Sequence, residues 1–90
     1  MAVHWVNYDL NKSGQNYEKL ITYLKSHNSW ARPVRNSYFV QTPLSASALR
    51  DGIKQHVDSN DVVMVVSVTS SDWATSNVPA DVTAWLRQHL

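Results

Sequence analysis

Residues 30–42 read WARPVRNSYFVQT. Tyr38–Thr42 (YFVQT) has the β-branched and aromatic character of a strand. Trp30–Val34 is a second, weaker strand. Pro33 has no amide to give to a ladder, which places this strand at a sheet edge or at a bulge. Asn36 and Ser37 suit the tight turn between the two, so the stretch reads as a hairpin. A helix-and-strand unit flanks it on each side. Upstream, residues 15–27 carry Tyr17, Leu20, Ile21 and Leu24 at i, i+3, i+4 and i+7, the spacing of an amphipathic helix. Before it come a polar turn, Asn11 to Gly14, and a β-rich strand, Val3 to Leu10 (VHWVNYDL). Downstream, Ser45 is a good N-cap, and Ala46, Leu49, Ile53 and Val57 fall on one helical face. Gly52 inside that helix costs roughly 1 kcal/mol against alanine and points to close packing on the sheet. An acidic turn, Asp58 to Asp61, leads into Val62–Val68 (VVMVVSV), a strand that is apolar on both faces.

The order strand, helix, strand, strand, helix, strand predicts an α+β fold, a ferredoxin-like βαββαβ sandwich with a four-stranded antiparallel sheet. The first and third strands are expected at its centre, the second and fourth at its edges. A polar loop at 70–77 holds Trp73, and Pro79 opens a last helix with the stripe Val82, Trp85, Leu86 and Leu90. One domain is expected over residues 1–90, its core about 3–68. Both main helices lie on one sheet face, so the C-terminal helix or a second subunit must cover the other.

Composition narrows the function classes. Ninety residues carry a net charge of +1, short of the basic excess usual in strong nonspecific DNA binders. With no cysteine there is no thiol nucleophile, disulfide or thiolate metal site, which suits a reducing cytoplasm. The opening MAVHWVNYDL lacks a basic region and a long apolar stretch, so neither a signal peptide nor a membrane span is expected. Gly14 and Gly52 are the only glycines, too few for a phosphate loop, and no organic cofactor is expected. His4, His27, His56 and His89 have no partner at i+3 or i+4, and His27 and His56 near helix C-termini suit partial positive charge. No Gly-x-Ser-x-Gly elbow accompanies the serines.

Several features occur in a recognisable order. The first strand ends in Tyr8-Asp9-Leu10, Gly14 and Tyr17 follow, then the hairpin from Arg32 to Val40, and then Leu44, Ser45 and Ala46 at the head of a helix. In these the chain resembles the small CRISPR-associated nuclease and integration-adaptor family and the virulence-associated protein D family, and most of all small bacterial SinR-like proteins. The resemblance covers most of Val3 to Val68. It implies a homodimer formed across the open sheet face, with RNA or DNA as substrate or partner. It implies that Asp9 is the catalytic residue and the metal ligand. Ser37 matches the family's hairpin serine and Phe39 its aromatic, while Tyr8 belongs to the strand motif. Where the CRISPR-associated family usually has a basic cluster, Lys12 stands alone.

Asp9 shares a strand face with Trp5 and Asn7. An oxygen ligand of this kind suits magnesium or manganese. The competing reading makes Asp9 a turn residue for the loop that follows. Lys12, Arg32, Arg35 and Arg50 are the candidates for a phosphate backbone, with Trp30 and Tyr38 near the hairpin arginines; a solvated hairpin is the alternative. Two functions follow: a metal-dependent endonuclease-like homodimer, or a noncatalytic homodimeric adaptor for nucleic acid or protein.

Overall fold

The computed structural model describes residues 1–11 and 17–90. Its elements are β1 (Ala2–Asp9), α1 (Glu18–Lys25), β2 (Ser29–Ala31), β3 (Ser37–Thr42), α2 (Ala46–Lys54), β4 (Val62–Ser67) and α3 (Ala80–His89). The strands form one antiparallel sheet in the order β2-β3-β1-β4, an α+β arrangement with the strand order of a ferredoxin-like sandwich. β1 and β3 are central and β2 and β4 are edges, as the sequence predicts. The second strand is shorter than Trp30–Val34: it stops at Ala31, and Pro33 lies in the connection. Ser37 belongs to β3 and pairs with Asn7. Residues 12–14 of the expected turn and residues 15 and 16 of the expected helix lie outside the described part.

Alternation in the strands sorts side chains onto two faces. On one, Val6, Tyr8, Tyr38 and Val40 meet Leu20 and Leu24 of α1 and Leu49 and Ile53 of α2. Ser45 caps α2 as expected, its hydroxyl accepting the Ala48 amide at 3.1 Å. His4 is buried here too, its Nε2 held 2.8 Å from the Leu44 carbonyl, so it is a core histidine.

Gly52 does not press on the sheet. A Cβ at this position would run into the ring and hydroxyl of Tyr23 on α1, so the glycine sets the α1–α2 approach. Tyr23 is itself wedged between His27 and His56, at centroid distances of 4.9 and 5.0 Å. Gly52→Ala gains about 1 kcal/mol of helix propensity but overpacks this contact at about 1–3 kcal/mol. The expected result is a lower melting temperature. In a Tyr23→Leu background the same change is expected to raise it, and equal effects in both backgrounds would contradict the steric account.

His27 is not held positive by its helix terminus. Burial pushes its pKa below the ordinary histidine value, because desolvation disfavours the charged form. Its neutral form is therefore the stabilised one. This contribution is complete above the unfolded value of about 6.5 and is lost as pH falls toward the folded pKa. Acidification below about pH 6.5 is expected to cost wild type more stability than His27→Phe. Parallel melting curves against pH would exclude the effect.

The second face is divided. α3 folds onto its own sheet, with Val82 and Leu86 against Ala31 and Phe39. The Trp85 indole donates to the Ser29 hydroxyl at 2.6 Å, fixing the helix over β2 and β3. The β1–β4 half of this face has no such cover. Val62, Met64, Val66 and Trp5 are 58%, 54%, 40% and 38% exposed. The fourth strand is thus covered within the chain on one side only, through Val63 and Val65.

Candidate functional site

The uncovered half-face is ordered in rows by the strand register. Phe39, Trp5 and Val66 lie across β3, β1 and β4 in one row; Ser37, Asn7 and Met64 form the next; Asp9 and Val62 form the last. Successive rows are two residues apart, about 6.6 Å. An aromatic row therefore runs into a polar row and then into a carboxylate.

Asp9, Asn7 and Ser37 line a common recess of about 320 Å³ with Asn36, Val34 and Met64. The register explains the meeting of residues 28 positions apart in sequence: Ser37 pairs with Asn7, and Asp9 follows two residues on. The Asp9 side chain is exposed at the end of β1. Among the described residues it is Asp61 that holds the start of the loop after β1, its carboxylate accepting the Asn11 and Asp58 amides at 2.8 Å each. Ser37 is 1% exposed. Its hydroxyl and the side-chain amide nitrogen of Asn7 are buried with no hydrogen-bond partner among the described residues. Unmet buried polar atoms are uncommon and point to a ligand or water at the site.

The other candidates fall in different places. Tyr8 points into the core, its hydroxyl donating to the Arg35 carbonyl at 3.4 Å. Burial pushes its pKa up, with the Arg32 charge pulling the other way. Arg32 donates to the Arg35 carbonyl at 2.6 Å and lies over the Tyr38 ring at 5.4 Å, so it braces the hairpin. The exposed Arg35 side chain has no partner among the described residues and stands next to Asn36 of the recess. Arg50 is elsewhere, on α2, paired with its neighbour Asp51 at 2.9 Å on an exposed surface. Such a pair adds little stability, and Arg50 does not join the recess. Lys12 lies outside the described residues. Among the described residues no three His, Asp or Glu side chains gather into a metal-binding group.

A second cavity, of about 390 Å³, lies beside the recess, between the sheet and the arm from Val68 to Val78. The arm is shaped by two left-handed residues, Ser70 and Asn77, and lays Trp73 on the sheet side. From sequence, Trp73 with Trp85, Leu86 and Leu90 reads either as a dimer contact or as the terminal segment folding back on its own sheet; within the chain it packs against Ala31, Val82 and Leu86.

The fold and the recess together define a class by geometry: a ferredoxin-like α+β sandwich with a carboxylate at the end of its first central strand, beside an unpaired serine and an uncovered apolar strip. Comparison with protein-family models, curated proteins and solved structures returns no match for this chain. No helix among the described residues is long and apolar enough to cross a membrane.

Proposed function

We propose that the protein is a homodimeric, divalent-cation-dependent nuclease acting on RNA or DNA, with Asp9 of each copy at its centre. The observation that carries this reading is the recess in which the exposed Asp9 meets the unpartnered Ser37 and Asn7 beside a strip of exposed apolar side chains. A patch like that strip is normally covered, and a twofold partner covers it with its own copy. Asp9 pairs with Val62, at the end of the strip, so a twofold axis at that end would bring two carboxylates together. They repel unless a cation or donor lies between them.

The donor set fits such a cation, most fully in the dimer. One chain offers one carboxylate in the recess; two chains offer two, and magnesium takes one or two carboxylates with waters completing the shell. When bound, the cation supplies charge neutralisation at the phosphate and an activated water. The chain itself supplies the rest: the Asp9 carboxylates hold the position, and the Ser37 hydroxyl and Asn7 amide have hydrogens to donate to a phosphate oxygen. Arg35, at the same end of the sheet, is placed to meet the flanking backbone. The absence of cysteine suits work in the cytoplasm. Manganese titration followed by electron paramagnetic resonance tests the metal half. One ion per two chains, lost in Asp9→Asn, is expected; equal binding by that variant would refute the assignment.

One observation favours the noncatalytic adaptor instead: among the described residues that line the recess, Asp9 is the only carboxylate and none is a histidine or lysine that could act as a base. An adaptor binds the same strand and leaves it intact with either metal.

A further inference from the structure

The arm cavity differs in character from the Asp9 recess. Its volume of about 390 Å³ falls in the range of roughly 300–1,000 Å³ usual for small-molecule pockets. Phe39 lines it from β3, Trp73 and Val78 from the arm, and Leu86 from α3. The Phe39 ring is braced, stacked between Trp5 at 6.1 Å and Trp85 at 6.2 Å. Trp85 is in turn tied to Ser29. Among the described residues that line the cavity, Asp72 alone is charged. Asp72 is exposed, and its carboxylate has no hydrogen-bond or ion-pair partner among the described residues. The other polar side chains of the lining are hydroxyls and indoles. One of these, the Ser37 hydroxyl, is buried and has no partner among the described residues.

We propose that this cavity binds a small organic ammonium ion, an amine or quaternary ammonium carried on an apolar body. The lining residues select the sign of the charge. A lone carboxylate attracts a cation and repels an anion, and no cationic side chain among the described lining residues offsets it. Aromatic side chains also favour a cation over a neutral group, because the ring face carries partial negative charge. The apolar body replaces water against Phe39, Trp73, Val78 and Leu86, which buries apolar surface on both sides. A ligand N–H or O–H that reaches Ser37 meets a hydroxyl with two acceptor lone pairs. A phosphate-bearing ligand finds no positive partner in the described lining, which separates this cavity from the Asp9 recess with Arg35 near it. Asp72 and Trp73 lie on the arm and Phe39 on β3, outside the strip of Val62, Met64, Val66 and Trp5. An ammonium ion held by them requires neither the dimer nor the nuclease.

Three soluble probes that share one ring and differ in charge test this. They are phenethylamine, cationic at neutral pH, uncharged 2-phenylethanol and anionic phenylacetate. Each is titrated into the protein and followed by the indole N–H resonances. Phenethylamine is expected to bind about fivefold or more tighter than 2-phenylethanol, with phenylacetate the weakest. The Trp73 signal should move with phenethylamine, while Trp30, beside Tyr38 on the other sheet face, should not. Asp72→Asn, at an exposed position, is expected to abolish the preference for the cation and leave 2-phenylethanol binding unchanged. Four results would overturn the proposal. These are equal binding of the three probes, a Trp73 signal that phenethylamine leaves in place, and a cation preference kept by folded Asp72→Asn. The fourth is binding by the Met64→Lys protein alone and not by wild type, which would give the cavity to a second copy of the chain.

Discussion

Met64→Lys is expected to convert a dimer at micromolar concentration into a monomer, with the dissociation constant raised at least a hundredfold, by about 3 kcal/mol or more. Met64 sits mid-strip, paired with Asn7 between the Trp5–Val66 and Asp9–Val62 rows. It is 54% exposed, so a lysine there has water within the single chain and the fold is little affected. In a twofold interface the change occurs twice, and each ammonium is buried against an apolar surface without a partner. Sedimentation equilibrium reads the association, and circular dichroism checks the fold. A wild-type monomer, or a Met64→Lys dimer of unchanged strength, would remove the dimer from the account.

Leu24→Ala is expected to cost about 2–5 kcal/mol of folding stability. Leu24 is fully buried where α1 meets the sheet, among Leu20, Tyr38 and Ile53. A chain of this length has a total stability on the order of 5–13 kcal/mol, so the variant loses a large fraction of it. Urea unfolding at fixed protein concentration measures the loss, since dimerisation would add to apparent stability. A change below about 1 kcal/mol would mean that the α1 contact is not part of the core.

The main architecture was legible because its signals are periodic. Leu20 and Leu24 are both fully buried, Val63 and Val65 alternate with Val62 and Met64, and Ser45 caps the helix it precedes. Where the reading failed, the deciding contact was tertiary. Gly52 meets Tyr23, a residue 29 positions away on another helix, and no local pattern distinguishes that from packing on the sheet. Trp30–Val34 was too long a strand because the break falls after Ala31, ahead of Pro33, where pairing with β3 ends. His27 looked suited to positive charge from its place after α1, but its burial lowers its pKa. The destination of the terminal helix was open in the sequence, and the Trp85–Ser29 hydrogen bond places it on its own sheet. For the candidate site, period two put Trp5, Asn7 and Asp9 on one face. The meeting of Asp9 with Ser37 needed the β1–β3 register, and the arm cavity needed the return of Trp73 to the sheet. Arg50 shares only its charge with the hairpin arginines; α2 carries it to a different surface.

The central claim is that Asp9 supports phosphodiester cleavage, and one assay bears on it most directly. End-labelled single-stranded RNA and DNA are incubated with the protein and magnesium or manganese, wild type beside Asp9→Asn, with EDTA as control. The account predicts metal-dependent cleavage by wild type, loss of at least a hundredfold in the variant, equivalent to about 2.7 kcal/mol, and oligonucleotide binding retained by both. Equal cleavage by both proteins would contradict the role of Asp9, and intact substrate with wild type in either metal would contradict the nuclease.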